Sequence, residues 1–401
     1  MSLHVPASVE EPAAQPGAGQ PGGPGPDAVP LPPAAPGTEP GAQTPAPARA
    51  RGRLRALDGL RLVAALMVCS YHYAGRGGDI ATSWGASPMK LFPHLAGPFS
   101  YGCLGVEMFF VISGFVICMS GWGRSVKAFT ISRVTRLYPA YWAALFIVTG
   151  TFIVVGYHHV SQSDFLTNLT MLQMPAGAER VLGVCWTLWA EMRFYLLFAL
   201  AVVWPGATRR RVLVFCAVWT VGALYAESSG EAFLKVALMP EYAPYFVSGM
   251  GMYLVYRFGH DAMAWGVVAI GFLLGQREAV KANVAPAHMN VFHHRTELGV
   301  IAVVAFCYLA VAAVTMVPWI AGLEWRWLTT AGALTYPFYL VHEHLGWVAI
   351  DKLTHRTDLS PMAVLCVSAG SMLVLAWLIN RLIEKPFGPR LKRLLERAPV
   401  R

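Results

Sequence analysis

Arg61 and His72 lie in one apolar stretch, Leu57 to Ala74 (LDGLRLVAALMVCSYHYA), with ten residues between them. An ionisable side chain inside a membrane-length apolar run costs about 3 kcal/mol on insertion scales. It therefore faces a protein interior or a water-filled cavity and marks a functional path. Eleven helical steps turn the chain by about 1100°, within roughly 20° of a whole number of turns, and rise about 16 Å. The two side chains thus share a helix face at different depths. An imidazole held there can act as a general base or nucleophile toward a hydroxyl, and a guanidinium stays charged and grips phosphate or carboxylate.

Other apolar runs carry residues of the same kind. In WTLWAEMRFY, entered from the outer side at Cys185, Glu191 lies about five residues, or roughly 8 Å, below the edge. That depth is compatible with His72, and a carboxylate beside an imidazole fixes its tautomer and steadies the imidazolium. An ion pair with Arg193 or another buried cation is the plainer alternative for Glu191. The run YGCLGVEMFFVISGF holds Glu107, for which Arg193 is the candidate partner, and Ser113 with Gly114, which serve either as a substrate contact or as a close packing surface. Arg133 and Arg136, in ISRVTRLYPAYW, are three apart on one helical face. They can clamp phosphates bidentately or anchor a loop at the membrane surface. In LTYPFYLVHEHLGWVA, Tyr336, Tyr339 and His342 fall at i, i+3 and i+6, a polar stripe that favours a hydrated cavity. Aromatic packing accounts for either tyrosine alone, and Glu343 and His344 are expected to reach the outer interface.

No metal centre is expected: the chain has no CxxC or HExxH, and His342 and His344 are two apart, on different helix faces. The seven cysteines are scattered and form no disulfide framework. Only Cys103 and Cys185, near outer helix ends, are placed to pair.

The composition names the elements that must hold these residues. With 56% hydrophobic and 13% charged residues and a mean hydropathy of +0.48, the chain is too apolar for a soluble globule. Ten apolar runs read as transmembrane helices: 57–74, 97–119, 137–157, 186–205, 211–226, 234–256, 262–276, 297–320, 328–350 and 361–381. With the N-terminus inside and alternating sides, 20 of the 31 Lys and Arg residues fall inside and 9 outside. The positive-inside bias therefore puts both termini in the cytoplasm. The net charge of +9 reflects loops facing anionic lipid, and no nucleic-acid partner is expected. Residues 1–50 hold 13 of the 28 prolines and no apolar periodicity, and read as a disordered cytoplasmic tail. The polytopic domain is placed at 51–388 and a basic cytoplasmic tail at 389–401. The fold class is all-α integral membrane, about ten transmembrane helices around a central cavity.

In order, these motifs resemble the integral membrane acyltransferase 3 family, the O-acetyltransferases of bacterial envelope glycans and some secondary metabolites. The resemblance runs from about 55 to 388. It rests on Arg61 and His72 in LDGLRLVAALMVCSYHY, on VEMFFVISGF, on Arg133 and Arg136 ahead of Leu137-Tyr138-Pro139, on WTLWAE ending at Glu191, on TYPFYLVH ending at His342, and on Ile383-Glu384-Lys385-Pro386. It implies that His72 is catalytic and that acyl-CoA, with acetyl-CoA as the expected donor, arrives from the cytoplasm. No permanently bound cofactor is implied. Arg61, Arg133 and Arg136 would meet the CoA phosphates or the entrance for the pantetheine arm, with the thioester at His72.

Some family members carry a further SGNH-type esterase domain. Here the chain stops about fifteen residues after the last span, and a stand-alone transferase is expected. That architecture, with the VEMFFVISGF wording, resembles the subgroup that acylates macrolides. A macrolide or similar glycosylated metabolite is the first acceptor reading and an envelope polysaccharide or glycolipid the second. The reading from another class is a secondary transporter, for which no inverted repeat or pair of broken helices is evident.

Overall fold

The structure is a computed structural model and describes residues 54–284 and 295–397. The expected tail at 1–50, His293, His294 and residues 398–401 lie outside the described residues. Among the described residues every element is helical. Helix α1 (Arg55–Ser70) runs on into a π-type turn, Tyr71–Gly75. Three short helices follow, α2 (Asp79–Trp84), α3 (Pro88–Leu91) and α4 (Ala96–Ser100), and lead to α5 (Gly105–Gly121). Next come α6 (Val126–Val155), α7 (Gln162–Leu169), α8 (Trp186–Phe198) with a π-type extension Ala199–Val203, α9 (Arg209–Ser229), α10 (Ala232–Leu238), α11 (Ala243–Phe258) and α12 (Ala262–Val284). The rest of the described chain holds α13 (Glu297–Met316), α14 (Pro318–Ala321), α15 (Arg326–Val341), α16 (His344–Arg356), α17 (Pro361–Ile379) and α18 (Lys385–Arg397).

Polar residues mark where long helices begin. Ser125, Thr208, Thr296 and Ser360 cap α6, α9, α13 and α17, each side chain accepting from an amide three residues on. Among the described residues six segments are long and apolar enough to cross a membrane: Ala96–Gly121, Val126–Val155, Gly183–Val203, Arg209–Ser229, Glu297–Met316 and Pro361–Arg397. Large apolar side chains such as Val214, Val218 and Val221 on α9 and Leu298, Phe306 and Leu309 on α13 point outward. On helices of membrane length such outward apolar faces are suited to lipid. The chain is a multi-pass membrane protein.

The remaining expected spans depart from simple crossings. The run 234–256 is split: α10 ends on Met239, whose φ of 52° is left-handed, and Pro240 follows. A residue ahead of proline is pushed out of the α region, which is why the helix stops there. The run 328–350 is split between Val341 and His344, at the functional motif itself. No broken helices were expected, and the structure has these two. The runs at 57–74 and 262–276 are helical as α1 and α12 but are not among the six.

Two apolar cores form, one around α5, α9, α11, α12 and α13, the other around α1, α6, α15, α16 and α17, and Phe109 and Tyr195 pack against both. In the first, α5 meets α11 backbone to backbone. A Cβ on Gly114 would fall 2.2 Å from the Phe246 carbonyl oxygen, and one on Gly249 would fall 2.0 Å from that of Val111. Gly114 is thus a packing residue. Cys103 and Cys185, the two cysteines placed to pair, do not: both thiols are free, and Cys103 Sγ instead donates to Asn283 Oδ1 at 3.4 Å.

Candidate active site

The polar residues gather at two levels of α1. At the upper level, α1 loosens into its π turn, a device that often re-aims a side chain at a functional site. A helix end leaves carbonyls without partners. Here the Trp347 indole donates to the His72 carbonyl at 3.1 Å and the Trp84 indole to the Tyr73 carbonyl at 2.8 Å. The Tyr73 hydroxyl in turn donates to the His342 carbonyl at 2.8 Å. The backbone around His72 is clamped from two other helices.

The side chains then define a proton path. His342 Nδ1 lies 2.9 Å from the Tyr339 carbonyl oxygen, which can only accept, so Nδ1 carries the proton. In the neutral ring, Nε2 is then an acceptor, and it lies 2.9 Å from His72 Nδ1. His72 therefore donates from Nδ1 and keeps a free lone pair on Nε2. The two rings stack with centroids 5.1 Å apart and planes 22° apart. Glu343 Oε1 sits 3.7 Å from His72 Nε2 and 3.8 Å from Arg76 Nη1. Glu343 Oε2 and Arg76 Nε are buried and have no hydrogen-bond partner among the described residues. Gly183 gives the carboxylate room, since a Cβ there would come within 2.2 Å of Oε2.

At the lower level, about 16 Å away along α1, the Arg61 guanidinium is half-buried within electrostatic reach of Arg136, Glu191 and Asp58. Arg133 stacks over the rings of Phe129 and Tyr195 at 5.8 and 6.0 Å and lies within reach of Arg136 and Glu191. Glu191 is held on both oxygens, by the Ser113 hydroxyl at 2.7 Å and the Tyr195 hydroxyl at 2.8 Å. Arg61, Arg133, Arg136, Ser113 and Glu191 thus come together.

Three expectations change. Glu191 is not the carboxylate beside His72. Gly183 is level with His72 through Glu343, and the eight residues from Gly183 to Glu191 carry Glu191 about 12 Å down α8 to the arginines. The carboxylate next to His72 is Glu343, which is buried at 7% exposure and does not reach the outer interface. Its signal was available, because a Glu in an apolar run is as costly as a His. Glu107 does not pair with Arg193. Arg193 donates to the carbonyls of Trp189 and Val236, and its guanidinium lies over the Trp189 ring at 5.2 Å. Glu107 instead lies within reach of Arg295, with one oxygen left without a hydrogen-bond partner among the described residues.

The tyrosines of the stripe are buried, at 9% exposure for Tyr336 and 7% for Tyr339. Tyr336 donates to the Leu137 carbonyl at 3.1 Å, and Tyr339 shares a hydrogen bond with the Thr187 hydroxyl at 3.1 Å. Both fix the position of α15. Of the three side chains only that of His342 lies on the proton path, which Tyr339 joins through its carbonyl.

This arrangement can be set beside known proteins. The acyltransferase 3 family, described as an acyltransferase domain, matches residues 54–381. The exopolysaccharide production protein ExoZ of Rhizobium meliloti (strain 1021) is 34% identical over 141 residues, 32% of this chain and 44% of that protein. The chain thus spans less than half the length of this curated relative. No solved structure matches the chain. The family match covers the whole described bundle from α1 to the end of α17, both levels of polar residues included. The chain belongs to the acyltransferase 3 family.

Proposed function

We propose that the protein is a membrane O-acyltransferase that moves a short acyl group, acetyl first among them, from acyl-CoA to a hydroxyl of an envelope polysaccharide or glycolipid. The observation that carries this is the free lone pair on His72 Nε2, left by the chain from the Tyr339 carbonyl through His342. Arg61, Arg133 and Arg136 bind the phosphates of CoA at the cytoplasmic face, and the pantetheine arm spans the roughly 16 Å to His72. Ten crossings with both termini in the cytoplasm and a central cavity for the arm complete this reading.

In the reaction, the acceptor hydroxyl gives its proton to His72 Nε2 as its oxygen attacks the thioester carbonyl carbon. The resulting imidazolium is doubly held, by His342 on Nδ1 and by Glu343 on Nε2. The carbon–sulfur bond then breaks, the carbonyl re-forms as the new ester, and the CoA thiolate takes the proton back from Nε2. In a covalent variant, Nε2 attacks the thioester first and expels the CoA thiolate, and the acyl-imidazolium then passes the group to the hydroxyl, whose proton goes to that thiolate. Arg76 stands beside this centre, ready to meet negative charge on the carbonyl oxygen.

The similarity to an exopolysaccharide production protein favours a polysaccharide acceptor. A glycosylated macrolide offers the same hydroxyl, and the mass of the acylated product separates the two. The test uses membranes holding the protein, labelled acyl-CoA and extracted glycan. Transfer is expected with the native chain and absent with His72→Ala. Unchanged transfer by His72→Ala would sink the assignment, and acceptor uptake without acylation would favour a transporter.

A further inference from the structure

A cavity of about 680 Å³ opens beside the His72 centre, between α2, the α6–α7 connection and α16. Its volume is within the roughly 300–1,000 Å³ of organic-ligand sites. Three features of its lining bear on what it takes.

The first is aromatic. Phe152, Tyr157 and Trp347 line it. The Tyr157 ring stacks on Phe152 with centroids 5.5 Å apart, yet the residue remains 37% exposed. The second is a rim of mixed charge, with Asp79, Glu179 and Asp351 against Arg180 and Lys352. Two of these carboxylates are already oriented by neighbours: Asp351 lies 2.9 Å from Lys352 Nζ and 3.3 Å from His355 Nδ1, and Glu179 lies 3.1 Å from His158 Nε2. Such a rim has no excess positive charge for phosphates. It is also too polar for an acyl chain. It presents paired donors and acceptors above an apolar platform, the complement of a pyranose, whose C–H face is apolar and whose hydroxyls both donate and accept.

The third feature is the shared wall. Trp347 lines the cavity and also donates to the His72 carbonyl at 3.1 Å. His344 lines it too, edge-on to Trp347 at 5.4 Å, and follows Glu343 directly in the chain. Trp347 is therefore a wall common to the cavity and the backbone of His72. A ligand seated against it lies next to the residue that clamps that backbone.

We propose that this cavity is the acceptor subsite and binds a pyranose ring, its C–H face on the aromatic floor and its hydroxyls on the Asp351–Lys352 pair and Asp79. The proposal rests on the transferase reading and adds to it the ligand class and the residues that choose it. The ring can belong to a glycan chain or to a glycosylated small molecule.

The test is equilibrium binding to the full chain in lipid nanodiscs, with cellotetraose as the glycan probe and erythromycin as the glycosylated-macrolide probe. At least one binds saturably. Tyr157→Ala and Asp351→Asn each weaken its Kd about tenfold, whereas Tyr157→Phe, which keeps the platform, stays within about twofold. In turnover, the KM for the acceptor rises with the same two variants and the KM for acyl-CoA does not. Binding of cellotetraose points to a glycan, and binding of erythromycin alone points to a glycosylated metabolite. Either outcome supports the pyranose subsite. Binding of neither probe overturns it, as does binding indifferent to Tyr157→Ala and Asp351→Asn in preparations of native thermal stability. Saturable binding without any acyl transfer would overturn the transferase reading alone.

Discussion

The hydrogen-bond chain through His342 makes a quantitative demand on catalysis. His342→Ala deletes the acceptor for the His72 Nδ1 proton, and the ring is then free to carry that proton on Nε2, where it cannot accept from a hydroxyl. A positioned general base contributes about 10²- to 10⁴-fold, or about 2.7–5.4 kcal/mol at 1.36 kcal/mol per decade. The kcat of His342→Ala should fall within that range. His342→Gln returns an amide oxygen near the place of Nε2, and exchanging one neutral acceptor for another costs about 1 kcal/mol, so this variant should stay within about tenfold of native. His342 is fully buried against Phe338 and Tyr339, with ring centroids 5.6 Å away in each case. The alanine therefore also leaves a cavity costing about 2–5 kcal/mol of stability, which melting in detergent measures separately. The assay is the initial rate of labelled acyl transfer in membranes at saturating donor and acceptor. Equal rates for native and His342→Ala, or equal losses for Gln and Ala in comparably stable preparations, would refute the tautomer argument.

Glu343→Gln should lower kcat about 10- to 100-fold with little change in the KM for acyl-CoA. That is part of the roughly 4 kcal/mol a unit charge exerts at 4 Å in an effective dielectric of 20, since Arg76 draws on the same carboxylate. Gly183→Ala should lower kcat while expression persists, because the new Cβ displaces the Glu343 carboxylate, and a wild-type rate would count against that carboxylate's role. Gly114→Ala should instead lower the melting temperature, since its Cβ meets the backbone of α11, and an unchanged melt would contradict the close helix contact. Outside the membrane segments, the Asp164 carboxyl is held below its ordinary value of 3.8 by the Ser161 hydroxyl and the Glu179 amide. A depressed acid stabilises fully above its unfolded pKa and loses that contribution as pH falls through its folded one. The protection factor of the Glu179 amide against hydrogen exchange should therefore hold at pH 5 and fall below about 3.8, and Asp164→Asn should abolish that dependence.

The helical, membrane-spanning character was legible because apolar runs of membrane length are hard to mistake. Relations between helices were less so. Depth counting from an assumed edge put Glu191 beside His72, but the turn at Gly183–Cys185 starts α8 level with Glu343 and leaves Glu191 among the arginines. The break after Val341 carries no Gly or Pro at 342 or 343, so nothing local warned that the apolar run would stop there. Met239 followed by Pro240 did carry such a warning. The pairing of His72 with His342 needed α1 and α15 to be packed together, which periodicity alone does not state.

The break between α15 and α16 also has an electrostatic consequence. Where α15 ends at Val341, its unsatisfied carbonyls give the negative end of a helix dipole, close to His342 and His72. Where α16 begins at His344, its free amides give the positive end of another, with Glu343 in the N-cap position. Two helix ends of opposite partial charge thus meet at the motif and set a standing field across it. An uninterrupted helix through the same residues would supply no such field.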